Sequence, residues 1–427
     1  MYPRSARVAL TINGRTAPIM PESFTFVDVA SGSSDHISIQ VNDRSRKWIN
    51  GWFPVKGDYI KATIVTENWD KQGREEENFC GTFYVDDFSF DGGPIMLTMN
   101  GVAYPASSGW KSTERTQTYE NTTLEEIGKT LASRNGIRAY YAGPKISIAK
   151  VSQDSQTDSA FYNDLCKKFG MSLKVFNNTI TVNDEGIFEG LAPVATLTEK
   201  DIQPDWSYTS STDGVYTGIK YQYNNGSKDN VYTVTVGGGK RIMTLNTNAD
   251  NLTEATFIAL AAINDANKNA TRMTCTMVKA DRKIVATRCV QIKGLGKLSG
   301  KYFVEQVESS IGGQKGYIQK LTLRKVEKRF TKADTVAKTT PESKKQETAP
   351  SSPAANYTYA TVRYGSRGST VRIMQQKLTA KGYSLPRYGC DGIFGSETRS
   401  AVMAFQRNNG LTVDGICGPY TWGKLLA

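Results

Sequence analysis

"CGTFYVDDFSFDGGPIMLTMNGVA" (residues 80–103) decides the fold class of this chain. Two runs of alternating apolar and polar residues flank Gly92-Gly93, and in the second run Ile95, Leu97 and Met99 share one face. Alternation with period two around a glycine turn predicts a hairpin with one face on a core. The pattern spreads upstream. Val8, Leu10 and Ile12 alternate up to Asn13-Gly14, a pair suited to a tight hairpin turn. Ile37, Ile39 and Val41 follow, then Ile60, Ala62 and Ile64. About a hundred residues therefore read as antiparallel sheet without a helix, as in a small barrel or sandwich.

Downstream the period changes. Thr122 and Glu125 form a capping-box pair ahead of an apolar stripe of Leu124, Ile127 and Leu131, which stops at Asn135-Gly136. A second helix is expected from Asp158 to Gly170, burying Phe161, Leu165 and Phe169, and then a hairpin turning at Asn177-Asn178. Strands return with Ile219, Tyr221 and Tyr223. One long helix interrupts them, with Leu252 before Thr253 placed to staple onto Phe257, and running to about Ala270. Residues 331–360, "TKADTVAKTTPESKKQETAPSSPAANYTYA", are polar and without period, which predicts a flexible linker. The expected organisation is mainly β: a first β-barrel (1–104), a small α/β insert (105–204), a second β-barrel (205–330), the linker (331–360), and a small helical domain (361–427).

Composition removes several chemistries. The six cysteines (80, 166, 275, 289, 390, 417) form no CxxC pair, and His36 is the one histidine, so no metal site and no cofactor are expected. The same shortage argues against a Ser-His-Asp or Cys-His centre; His36 precedes an alternating strand and reads as a surface or strand-edge residue. No apolar run is long enough for a membrane anchor, and "MYPRSARVALTINGR" (1–15) reads as a strand rather than a signal peptide. Synthesis in the bacterial cytoplasm is expected. The net charge of +12 is uneven: residues 331–427 hold 13 Lys/Arg against 6 Asp/Glu. That suits a polyanionic surface, an anionic cell wall before nucleic acid, because no helix face collects the cations with interleaved aromatics.

The order barrel, insert, barrel resembles the phage late control gene D family of baseplate hubs. "CGTFYVDDFSFDGGPIMLTMNGVA" is similar to its strand pair, and "DSAFYNDLCKKFGMSLKVFNNTITV" (158–182) to its helix and hairpin. "EATFIALAAINDANKNATRMTCTM" (254–277) and "GLGKLSGKYFVEQVESSIGGQKGYIQKLTLRKV" (294–326) resemble its last domain. The resemblance implies a homotrimer whose subunits each give two similar barrels to a pseudo-sixfold ring. Its implied partners are the tail tube protein, a spike protein, and the tape-measure and other baseplate proteins of a contractile tail or tailocin-like particle. The family often has a histidine in the phrase filled here by "VESSIGG", where Ser309 and Ser310 stand, and no function is carried onto them. No β-helical spike repeats follow residue 330, so the spike is expected on a separate chain.

The tail contains one phrase twice. "DGIFGSET" (391–398) returns as "DGICGPYT" (414–421), 23 residues on, with Asp, Gly, Ile, Gly and Thr repeated. Asp391 and Asp414 are suited to accept turn N–H groups, and Gly392 and Gly415 to take positive φ. Gly395 and Gly418 fit helix N-caps, with Pro419 at the first helical position. Residues 361–427, with a stripe of Val371, Met374 and Leu378, resemble the three-helix peptidoglycan-binding domain of wall hydrolases. For contact with glycan or stem peptide, the exposed candidates are Arg387, Tyr388, Asp391, Tyr420 and Trp422: aromatic faces stack on sugars and arginine pairs with carboxylates. Phe405 and Leu411 read as core. Cys390 and Cys417 flank the turns, as two thiols or as a disulfide formed after release from the cell.

Together these features predict a non-enzymatic hub, assembled into the baseplate of a virion or phage-tail-like particle, with a tethered unit binding peptidoglycan. The linker as a random coil would span on the order of 30 Å. Two alternatives stay open. A wall hydrolase would need two carboxylates, for which Glu75–Glu77, at an expected hairpin tip, and Asp86 with Asp87, on one strand, are the candidates. A wall-binding adaptor would need neither ring nor tube.

Overall fold

The hairpin forms as its alternation requires: strand Glu75–Asp91 pairs antiparallel with Met96–Val102, with Phe83, Val85, Leu97 and Met99 buried. A computed structural model describes residues 3–104, 109–223, 230–245, 247–312, 316–341, 359–411 and 413–426. It divides into two units, Met1–Ser343 and Lys344–Ala427.

In the first unit the described strands build a thirteen-stranded sheet. From one edge it runs through Arg15–Thr16, Ser5–Ile12, Tyr59–Glu67, Glu75–Asp91, Met96–Val102, His36–Asn42 and Ser23–Val29. Asn13 and Gly14 make the first tight turn with φ of 49° and 77°, a left-handed pair that a two-residue hairpin needs. The sheet does not stop at Ser23–Val29. That strand pairs antiparallel with Gly300–Gly312, Phe24 facing Ile311 and Phe26 facing Ser309, and the order continues through Tyr317–Lys325, Thr271–Thr276 and Ser207–Ser210. The two β regions keep separate cores, one of Phe24, Ile37, Ile60, Phe83 and Met99, the other of Met273, Val290, Tyr302, Val304 and Leu321.

Between them a third core gathers Trp110, Leu124, Ile127, Phe161, Tyr162 and Ile180 under helices Leu124–Arg134 and Asp158–Lys168. Asn177 and Asn178, φ 46° and 57°, turn the hairpin of Ser172–Phe176 and Thr179–Asn183. The capping box falls one residue later than the sequence suggested. The preceding strand runs to Thr123 with extended φ of −125°, so Thr123 caps the helix and exchanges hydrogen bonds with Glu126. One ammonium ties three regions together. Lys174 of the insert pairs with Asp28 and Asp35 of the first β region, and Asp28 also accepts the Ala286 N–H of the second.

Three further expectations need correction. Strand Ala195–Leu197, placed within the insert, pairs in parallel with Cys289–Ile292 and joins the second β region. That region also carries a separate four-stranded sheet, Ile242–Leu245, Gly218–Tyr223, Asn230–Gly237 and Thr335–Pro341, against helix Leu252–Lys268. Asn251 caps this helix by accepting the Glu254 N–H at 2.9 Å, so Leu252 begins the helix instead of stapling it from outside. Finally, the linker begins later than 331. Thr331 and Asp334 close a capping box around a short 3-10 turn, and Thr335–Pro341 pairs with Asn230–Gly237. The rest of the expected linker, residues 342–358, lies outside the described residues.

Candidate functional site

Three helices, Ser369–Ala380, Ser396–Asn408 and Pro419–Leu426, enclose the core of the second unit: Val371, Met374, Phe394, Val402, Phe405, Trp422 and Leu425. The repeated phrase is built around two buried glutamines. Gln375 Nε2 donates to Asp391 Oδ1 (2.9 Å), the Ile393 carbonyl (3.1 Å) and Thr398 Oγ1 (3.0 Å), while its Oε1 accepts the Gly392 N–H (2.8 Å). Gln406 repeats each contact with Asp414 (2.7 Å), Ile416 (2.9 Å), Thr421 (3.1 Å) and Gly415 (2.9 Å). Asp391 and Asp414 accept the N–H two residues on, both at 2.8 Å. Gly392 and Gly415 take φ of 79° and 71°, and Gly395 caps the second helix. The segment before the first helix spans both copies: Val362 bridges to Cys417 and Arg367 to Ile393.

Sequence reading missed the glutamines, although a signal existed. "VRIMQ" (371–375) and "VMAFQ" (402–406) place Val, a large apolar residue and Gln at the same helical offsets. Both glutamines lie on the apolar stripe, where an unpartnered amide would be costly.

The five candidate residues separate. Arg387 and Tyr388 are exposed neighbours on one loop, the guanidinium 5.3 Å from the ring centroid. Their backbone N–H groups both donate to Glu397, at 2.8 and 3.0 Å, which holds the loop on the start of the second helix. Asp391 is exposed, but its carboxylate is taken up inside the turn. The hydrogen bond from Gln375, then that from the Ile393 N–H, hold it below the usual aspartate range. Trp422 is a correction: it is buried, donates Nε1 to the Ala360 carbonyl at 3.1 Å and stacks on Tyr359 at 4.8 Å. Its spacing with Leu425 puts both on the inner face of the last helix. Tyr420 lies in that helix, and its side chain is outside the described residues. Tyr364, 63% exposed, is an aromatic that the reading passed over. Cys390 and Cys417 are free thiols; Cys417 is buried, which pushes it up to about 12.

In the first unit three of the hydrolase candidates, Glu75, Glu76 and Asp87, are engaged with other side chains. Glu75–Glu77 lie within a strand, past a tip at Asn68–Arg74. Glu75 pairs with Arg7 at 2.8 Å and buried Glu76 with Arg282 at 3.1 Å. Asp86 and Asp87 lie at a bulge, where the register shifts between Val85 and Asp87, and both are exposed, with Asp87 accepting from Asn100 at 2.7 Å. His36 opens strand His36–Asn42, exposed, its ring 3.4 Å from the Ser34 carbonyl. Ser309 and Ser310 meet Tyr317 and Thr25. Among the described residues of the second unit, the carboxylates of Asp391, Glu397 and Asp414 each accept backbone N–H groups.

Residues 367–425 match the family described as "Putative peptidoglycan binding domain". The N-acetylmuramoyl-L-alanine amidase CwlL of Bacillus licheniformis is 42% identical over 80 residues, 19% of this chain and 22% of the amidase. The amidase likeness is confined to the peptidoglycan-binding region. The "Probable baseplate hub protein" of Escherichia phage 186 is 25% identical over 203 residues, 46% of this chain and 49% of that protein. The chain thus spans at most about half the length of these curated relatives. The 43 kDa tail protein of prophage MuSo2 from Shewanella oneidensis superposes with a TM-score of 0.58 at 11% identity, over 75% of this chain and 98% of that one. The chain has a mainly β tail-protein fold with a helical peptidoglycan-binding domain at its C-terminus.

Proposed function

We propose that the chain is the structural baseplate hub of a contractile phage tail or phage-tail-like particle, carrying a tethered unit that binds peptidoglycan during wall penetration. One observation carries the reading: a tail-protein fold and a peptidoglycan-binding domain stand on the same chain. The two β regions, each with its own core, suit a subunit that shows similar faces twice. Three such subunits close a pseudo-sixfold ring able to meet a sixfold tube. The ring joins the tube to a separate spike and lets tape-measure protein or cargo pass. The second unit then holds the tip at the wall, raising the local concentration of contacts there.

Light scattering over a range of concentrations, with and without tube protein, tests the assembly. About three times the subunit mass is expected for a closed threefold ring. Removing residues 342–427 should leave that mass per subunit ratio unchanged and abolish sedimentation with sacculi. A single-subunit mass under every condition would overturn the hub.

A further inference from the structure

Among the described residues, no cation of the second unit forms an ion pair with an acid. From residue 359 onward the chain has nine Lys/Arg and three acids. Asp391 and Asp414 are held by the two buried glutamines and by turn N–H groups, and Glu397 by the Arg387 and Tyr388 N–H groups. Every ion pair among the described residues belongs to the first unit. Arg372, itself exposed, donates to the Asp391 carbonyl at 3.3 Å and favours the charged Asp391. Around that first turn Arg363, Arg367 and Arg387 remain exposed, beside Tyr364 and Tyr388. The contacts place them together. Gly365 N–H reaches the Phe394 carbonyl, Arg367 bridges to Ile393, and Glu397 fixes the Arg387 loop.

We infer that this face binds a phosphodiester-linked anionic polymer of the cell wall. The inference rests on the wall-binding reading above and adds a second ligand to it. A glycan strand is nearly uncharged, and a stem peptide carries amines as well as carboxylates. A phosphodiester polymer carries one uncompensated negative charge in each repeat, which matches a surface where nine cations outnumber three acids, each acid hydrogen-bonded to its own turn or loop. Arginine is also the cation whose planar fork accepts phosphate oxygens in pairs.

The test is cosedimentation of the full chain with sacculi that carry such a polymer, and with the same sacculi stripped by hydrofluoric acid. Affinity should fall at least about tenfold on stripping, and similarly on raising salt from about 50 to about 500 mM, since exposed charges are screened. The variant R363Q/R367Q/R387Q should show the same loss on intact sacculi, while the stripping and salt arms use the native chain. Equal affinity for intact and stripped sacculi would overturn the proposal while leaving peptidoglycan binding in place, and salt-sensitive binding to stripped sacculi would assign the arginines to peptide carboxylates instead. Binding to neither would overturn both readings.

Discussion

Gln375 and Gln406 show why buried polar groups are retained in so small a core. Each satisfies a turn N–H, a carbonyl, an aspartate and a threonine at once, so its loss strands several groups together. Gln406→Leu should destabilise the second unit by about 2–3 kcal/mol, the cost of leaving buried donors unmade. Exposed Gln376→Leu should stay within about 0.5 kcal/mol. Calorimetry of the full chain reads both, and an unmoved transition for Gln406→Leu would show that the turns stand without the amide. Legibility at this scale was uneven. The Asp and Gly roles in the repeat follow from turn chemistry and were readable, whereas the glutamines act through bonds across 16 and 8 residues that no local rule weighs. Trp422 was misplaced because an aromatic beside a candidate loop reads equally as ligand or core, and only the helical offset to Leu425 separates them. The capping box slipped because "NTTLEE" offers two threonines and two glutamates at the right spacing; the end of the strand chooses between them.

Hairpins and amphipathic helices were the legible elements, since alternation or an apolar stripe marks each and an Asn-Gly, Asn-Asn or Gly-Gly pair marks the turn. Strand Thr335–Pro341 was not. Val336 is 54% exposed, and Ala337 and Lys338 face solvent too, so no period marks the strand. Its ladder with Asn230–Gly237 is held by the backbone. A chain ending at 341 should therefore keep the thermal stability of the first unit. One ending at 330 should lose about 3 °C or more and expose the amides of Asn230–Gly237 to faster hydrogen exchange. Equal exchange in the two truncations would remove this strand from the fold's support. The distinction matters for any attempt to free the first unit from the second, because the composition break at 331 is the wrong place to cut.

At the scale of the whole first unit, the junction of Asp28, Asp35 and Lys174 couples three regions by charge. Two buried carboxylates share one ammonium, and burial, opposed by Lys174, raises Asp35 to about 7. A carboxyl raised on folding stabilises most below its unfolded value, and that contribution is lost as pH rises toward the folded one. Stability should thus fall between pH 5 and pH 8 by about 1–3 kcal/mol through this group. Asp35→Asn, which can still accept the Val29 N–H, should lack that slope. Thermal unfolding of both proteins at the two pH values checks it, and parallel slopes would exclude Asp35. The junction itself was invisible in sequence, because Lys174 lies far along the chain from both Asp28 and Asp35. The seam between Ser23–Val29 and Gly300–Gly312 has a consequence of another kind. During translation the early strand waits with an open edge until residue 312 has left the ribosome, and pairing across so long a loop is slow. A chain cut short before residue 312 therefore leaves the Ser23–Val29 edge unpaired, so the last stretch of synthesis decides whether the sheet is continuous.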